Sequence, residues 1–343
     1  MGWTGSDIWE DVMKFRHSAF AAALSVAVIP TLTLAETLKV STFVPPNHAF
    51  NVMLAQWGEE LSEQTDGELT LEIFPSGQLG PPPRQYDLVT SGAADISLIL
   101  HAATPGRFPV TELVAMPFTT PSVGDDSAAM SQRLTEIAPE FLAAEHPDVK
   151  ILWMAVTPAL KLHLTDVDPS TLAAFKGLRI RYAGATWQQI IERLGASPAP
   201  VPPAETADAM SKGIVDGASF PFEAAQSFDL APLLKYSLEP GIASASFAVV
   251  MSQAAFDKLP AEMQTLIDET TGPARAAAFG EMWDTGEAEA RQYLIDGGVS
   301  VVSMSDAEMA DMQAALEPIR TELIENVTEM GLPARAFLDA YEQ

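Results

Sequence analysis

From Glu36 onward the chain alternates strand-like and helix-like stretches, and this order limits the possible folds more than any other feature. Leu38, Val40 and Thr42 alternate with Lys39, Ser41 and Phe43, the two-residue period of a strand. Phe50, Met53, Leu54, Trp57 and Leu61 then recur at helical spacing, and the pattern stops near Gly67. Leu69–Phe74 reads as the next strand, Pro75–Pro83 as a turn-rich loop, Tyr86–Ser91 as a helix and Asp95–Leu100 as an apolar strand. Parallel neighbours need crossover connections, so this β-α-β-α-β order predicts a mainly parallel sheet with helices on both faces.

The second half repeats the style without repeating the sequence. Ile151–Val156 is an apolar strand. In the next, Leu160, Leu162 and Leu164 face one way and Lys161, His163 and Thr165 the other. Leu178, Ile180 and Tyr182 likewise oppose Arg179 and Arg181. Helices are expected at Thr186–Leu194 and Ala204–Gly213, and a strand at Phe247–Met251. A helical stretch from Pro260 to Gly297 is interrupted at Gly272-Pro273, and Val299–Val302 is a short strand. Ser305 with Glu308 forms a capping box that starts a long helix ending near Gly331. The length of 343 residues accommodates two domains. No long linker separates them, which suits two α/β domains joined by several crossing segments, with a ligand in the cleft between.

Composition narrows the function. Apolar residues make up 48% of the chain, and a mean hydropathy of +0.12 is too low for a polytopic membrane protein. There is no cysteine, which removes disulfides, thiolate catalysis, cysteine-bound metals and a lipid-modified cysteine anchor. The net charge of -27, from 19 basic and 46 acidic side chains, opposes nucleic acid and anionic membranes. An anion site on such a chain must gather scarce basic residues locally.

The N-terminus reads as an export signal. Met13–His17 supplies a basic region, Ala19–Leu34 is short and apolar, and Thr33-Leu34-Ala35 fits a cleavage site. The mature chain then starts near Glu36, residues 1–12 are an over-extended start, and the destination is the periplasm. Pro30 and its neighbouring threonines argue against a membrane-spanning anchor.

Motifs of catalysis are missing. There is no Gly-x-Ser-x-Gly elbow, P-loop, dinucleotide fingerprint or His-Glu-x-x-His. His48, His101, His146 and His163 do not lie at metal-ligand spacing, so neither an enzyme nor a bound metal or cofactor is expected. Acidic pairs such as Glu59-Glu60 and Asp125-Asp126 read as solvated faces or turns.

One set of marks recurs in order along the mature chain: His48, Thr65-Asp66-Gly67, Phe74-Pro75-Ser76-Gly77-Gln78-Leu79-Gly80, Gly92-Ala93-Ala94-Asp95 and Met116-Pro117-Phe118. Lys176-Gly177-Leu178-Arg179-Ile180-Arg181, Gly195-Ala196-Ser197-Pro198 and Val215-Asp216-Gly217 follow. In this order and spacing the chain resembles the DctP-type solute-binding proteins of tripartite ATP-independent periplasmic (TRAP) transporters. The resemblance implies two α/β domains with several hinge crossings and a long helix running along both. It also implies capture of an organic acid for delivery to TRAP membrane permease subunits.

The resemblance places Arg181 on the ligand carboxylate. A guanidinium presents a planar fork to that group and stays charged when desolvated. Lys161 stands where some members carry a second basic anchor; on pattern alone it reads as an exposed lysine. His163 shares its face. Phe220 stands where members binding dicarboxylates or sugar acids often have a polar residue, and Leu100 and Ala103 make similar departures. Trp187 either walls the pocket or packs in a helix core, and His101 either donates to the ligand or ends a strand. Arg179 is left out of the site.

The expected ligand is therefore a monocarboxylate with an apolar or aromatic body. A small dicarboxylate or 2-oxo acid is the alternative within transport, and a sensory ligand receptor the alternative outside it. Some members bridge ligand and protein with a metal, a point the sequence leaves open. The expected layout is a first domain over 36–158, a second over 159–246, a return to the first with the long helix over 247–286, and the second domain with C-terminal helices over 287–343. The protein is expected to be a monomer with no stable membrane insertion.

Overall fold

The structure, a computed structural model, describes residues 35–119 and 126–342. The export signal, Ala35 excepted, lies outside the described residues. The strands are β1 (Glu36–Ser41), β2 (Leu69–Phe74), β3 (Ile96–Leu100), β4 (Val149–Val156), β5 (Leu160–Leu164) and β6 (Arg179–Arg181). They continue with β7 (Ser197–Ala199), β8 (Gly217–Phe220), β9 (Tyr236–Ala243), β10 (Ser246–Ser252) and β11 (Ser300–Ser303).

Two sheets result, one per lobe. The first has the order β2-β1-β3-β10-β4 and the second β11-β9-β5-β8-β6-β7. The expectation of a mainly parallel sheet needs correction. In the first lobe β1 is parallel to β2 and β3, as crossover helices require, whereas β10 runs antiparallel to both β3 and β4. The reason is topological: β10 enters from the cleft side after the chain has visited the second lobe, so it runs the opposite way. The second sheet is mixed for the same reason, with β5 antiparallel to β8 and β9.

Four stretches cross between the lobes among the described residues, one of them the helix Asp306–Glu329, whose Met312, Leu316 and Ile319 lie in the second lobe's core and Val327 in the first's. β4 leads into β5 through Thr157, and β9 leads into β10 through Ala245. These two crossings are laced together: Thr157 N–H donates to Ala245 O at 3.0 Å, and Ala245 N–H donates to Thr157 Oγ1 at 2.9 Å. The third is the helix Pro273–Asp296, whose Asp284 accepts from Ser127 N–H in the first lobe at 3.0 Å. One turn later its Glu287 accepts from Phe222 N–H in the second lobe at 2.9 Å.

Burial follows this layering. One apolar cluster unites β1, β3 and the helix Ala49–Gln64 with Phe220, Phe228, Phe279 and Trp283, so it runs beneath the cleft from lobe to lobe. A second lies on the far face of the first sheet, under the helices Ser127–Phe141 and Ala334–Tyr341. A third lies on the far face of the second sheet, under Ala185–Arg193 and Asp306–Glu329. Ser305 Oγ accepts from Glu308 N–H at 3.3 Å, which is the cap read from the sequence. No helix among the described residues is long and apolar enough to cross a membrane.

β9 was not legible beforehand. It holds Pro240 and Gly241, residues that argue against a strand interior, and they fall where its ladder to β5 slips in register. A side chain at Gly241 would put its Cβ about 2.6 Å from Ala159, so the glycine is what allows the two strands to meet there.

Candidate functional site

The crossing segments and the long helix surround a cavity of about 50 Å³ between the lobes. Among the described residues Arg181 is the one cationic group in its walls. β6 ends on this residue, and the parallel register pairs it with Ala218 of β8. Its face therefore also carries Phe220, two residues along. Arg181 is only 2% exposed. Its Nε–H donates to Val201 O at 3.0 Å and Nη1–H to Ser219 O at 3.2 Å. No carboxylate among the described residues pairs with it, and Nη2 makes no hydrogen bond among them. Burial without a counter-ion pulls its pKa down to about 9. The guanidinium carbon sits 4.1 Å from the centroid of the Phe220 ring.

The remaining walls are chiefly apolar and aromatic: Phe43, Leu100, Phe228, Phe247 and Trp283 with Phe220. The rings form two groups bridged by His48, whose ring lies 6.0 Å from Phe228 and 5.9 Å from Trp283. Phe43 and Phe247 stack at 6.4 Å, Phe220 and Phe228 lie 5.7 Å apart, and Phe247 meets Trp283 edge-on at 6.0 Å.

His48 also lines the cavity, with its Nδ1 committed to structure. It caps the helix Ala49–Gln64, with Nδ1 accepting from Phe50 N–H at 3.3 Å. The proton therefore sits on Nε2, 3.5 Å from Glu223 Oε2. Burial lowers the His48 pKa to about 3 and raises that of Glu223 to about 7, so the contact is that of a neutral imidazole. Glu223 Oε1 accepts from Ala49 N–H at 3.2 Å. The pair thus ties the second lobe to the start of the first helix of the first lobe.

Of the residues named from the sequence, Arg181, Phe220 and Leu100 line this cavity. Four others do not, and the structure corrects their placement. Lys161 lies opposite Phe220 in the β5–β8 register, but its ammonium donates to Glu287 Oε1 at 2.7 Å and is 1% exposed. The helix Pro273–Asp296 covers this face, so Lys161 is neither exposed nor a second anchor in the cavity. His163 is buried behind Phe220: Nε2–H donates to Phe220 O at 3.0 Å and Nδ1 accepts from Ser237 Oγ at 2.7 Å. Burial holds its pKa near about 3. Trp187 packs with Ile190 and Ile191 in the far core of the second lobe. His101 sits 3.1 Å from His146, Nε2 to Nε2, with Nδ1 2.9 Å from Ser246 O.

Arg179 makes a two-pronged pair with Asp216, at 2.9 and 2.6 Å, which accounts for its absence from the cavity. The aromatic walls Phe43, Phe228, Phe247 and Trp283 were not picked out from the sequence. They sit on four separate segments, and only the end of the apolar strand at Phe247 carried a local signal. No group of three or more metal-ligating side chains occurs among the described residues.

The site therefore sets one cationic group among apolar and aromatic walls. Its polar groups are largely committed to structure: Thr157 Oγ1 accepts from Ala245 N–H, and Ser219 Oγ donates to Arg181 O at 3.4 Å.

The profile of the bacterial extracellular solute-binding protein family 7, DctP, matches residues 40–326. A marine-metagenome TRAP solute-binding protein specific for aromatic acid ligands, solved with metahydroxyphenylacetate, is 30% identical. The similarity covers 89% of this chain and 97% of that one, with a TM-score of 0.84. A TRAP solute-binding protein from Rhodoferax ferrireducens, solved with copurified benzoate, is 26% identical over 90% and 96% of the two chains, also at 0.84. One from Xanthobacter autotrophicus with bound β-D-galacturonate is 22% identical over 89% and 97%, at 0.74, and shares the fold.

Proposed function

The chain belongs to the DctP family of solute-binding proteins, which serve TRAP transporters, and from this premise we propose that it captures an aromatic monocarboxylate in the periplasm and delivers it to the membrane permease subunits. The observation that carries the ligand class is the buried, uncompensated guanidinium of Arg181 in a cavity otherwise walled by aromatic and aliphatic groups. A ligand carboxylate supplies the missing counter-charge, and charge-assisted hydrogen bonds of this kind are about twice as strong as neutral ones.

The rest of the ligand must then be apolar. A second carboxylate or a sugar hydroxyl set against Phe220, Leu100 or Phe247 loses its water without gaining a partner, at about 1–3 kcal/mol per group. An aromatic ring there gains contact with Phe and Trp faces, about 0.5–1.5 kcal/mol per ring pair beyond its buried area. The aromatic acids bound by the relatives at 30% and 26% identity support the same reading.

A thermal-shift panel tests it. Benzoate, phenylacetate and 3-hydroxybenzoate should raise the melting temperature, by the equivalent of about 2.7 kcal/mol at a hundredfold excess over Kd. Succinate, malate and galacturonate should not. Stabilisation by galacturonate or succinate alone would overturn the ligand class and leave family membership standing.

A further inference from the structure

A buried carboxyl outside the ligand cavity joins the two lobes. Glu223 belongs to the helix Phe222–Ser227 of the second lobe, and its Oε1 accepts from Ala49 N–H, at the start of the first lobe's helix Ala49–Gln64. Its Oε2 is buried and makes no hydrogen bond among the described residues. Glu223 also borders an outer groove of about 620 Å³ walled by both lobes: Asn47 and Val52 from the first, Gln226 from the second, and Met282 and Glu289 from the long helix. Parting the lobes would open this groove and return the carboxyl to water.

The groups facing Glu223 do not neutralise it. From the first lobe there is His48, which burial keeps uncharged. From the long helix there are Glu287, whose Oε2 accepts from Glu223 N–H and whose Oε1 accepts from Lys161, and Glu289, which is exposed in the groove. Among the described residues no lysine or arginine pairs with the Glu223 carboxyl.

From this geometry we propose that Glu223 is a proton-coupled latch: closing the lobes carries its carboxyl out of water against the start of the first-lobe helix, so ligand capture takes up a proton there. The protonated acid keeps the contact between lobes, because its carbonyl oxygen still accepts from Ala49 N–H, and it sheds the charge that burial penalises. Burial raises the pKa from the ordinary 4.5 to about 7 with the lobes together. A group with the higher pKa in the closed state binds protons preferentially there. Acid therefore favours closure, and the preference is lost as pH rises through about 7. The dependence is complete below the range in which Arg181 titrates. The coupling acts whatever acid is captured, so it stands apart from the aromatic reading; benzoate serves as the probe.

Calorimetric titration of benzoate in buffers of different ionisation enthalpy counts the protons. The parent protein should take up close to one proton per benzoate at pH 6 and about a tenth at pH 8. Its affinity should fall roughly thirtyfold from pH 5 to pH 7 and change little from there to pH 8. Glu223→Gln mimics the protonated acid and should take up none, with level affinity across that range. Glu223→Ala gives the same proton count if the glutamine variant does not fold. Benzoate binding with no proton uptake in the parent, or with uptake unchanged in the variants, overturns the latch and leaves the aromatic reading in place. If benzoate does not bind, the aromatic reading falls, and small-angle scattering of the ligand-free parent tests the latch. The protein should then be more compact at pH 5 than at pH 8, and identical profiles would overturn it.

Discussion

The guanidinium of Arg181 lies over the ring of Phe220, its central carbon 4.1 Å from the ring centroid. This contact helps a buried cation to persist without a carboxylate partner. A desolvated cation–π contact is worth about 2 kcal/mol, and it leaves the outward N–H groups on Nη1 and Nη2 for a ligand. Phe220, which the sequence suggested as a wall for the ligand body, is thus also the platform that orients the anchor.

The first prediction follows from that double role. Phe220→Leu keeps an apolar wall but removes the π-face, so benzoate affinity should fall about tenfold by calorimetry, roughly 1–2 kcal/mol. Phe220→Tyr keeps the face and should largely retain binding. Equal affinities in the leucine variant and the parent protein would show that the stacking contributes nothing.

The pH dependence of binding follows from the charge on Arg181. Its pKa in the unliganded site is lowered to about 9. Below that value the guanidinium is protonated and attracts the carboxylate; above it the cation is lost. Affinity for benzoate should therefore be level around neutral pH and fall as pH rises through about 9. An affinity that holds well above that point would place the anchoring charge elsewhere.

Lys161 and Glu287 should matter for stability instead of ligand contact. Both are buried, 2.7 Å apart, and Glu287 also accepts from Phe222 and Glu223 N–H at 2.9 and 2.8 Å. Removing one member strands the other, at about 3–5 kcal/mol. Lys161→Met should lower unfolding stability by that order in a denaturant titration. Adding Glu287→Gln should recover part of it, since the amide oxygen can still accept one backbone N–H. A Lys161→Met protein of normal stability but impaired ligand binding would return Lys161 to the site.

The lobes touch at the rim, where Gly184, with φ of +87°, faces Ala102. A Cβ on Gly184 would lie 2.5 Å from that of Ala102. Gly184→Val should hold the lobes apart, weaken binding and prevent the compaction that ligand produces in the parent protein. Small-angle scattering with and without benzoate measures this directly. A variant that compacts as fully as the parent would show that the rim contact does not limit closure.

Much of this was readable from residues alone, for identifiable reasons. The first-lobe strands and helices carry clean two-residue and 3.6-residue periods, and Arg181 sits on a strand whose alternation sets its facing, whereas Phe220 was placed only by the family resemblance. Lys161 was expected at the ligand because alternation tells which side of β5 it occupies and nothing about the helix covering that side. That helix arrives 126 positions later in the chain with Glu287. Trp187 and His101 failed similarly: each is on an element near the cleft, yet tertiary packing turns one into a lobe core and the other against His146. The aromatic walls come from segments far apart in sequence, and no local pattern could collect them.

Titration of benzoate into the parent protein and into Arg181→Ala and Arg181→Lys by calorimetry tests the central claim most directly. The parent should bind, and Arg181→Ala should lose about 2–5 kcal/mol, the range for truncating one partner of a buried charge pair, or roughly 30- to 4000-fold in affinity. Arg181→Lys should also bind weakly, because an ammonium cannot reproduce the planar fork. Benzoate affinity unchanged in both variants would contradict the account.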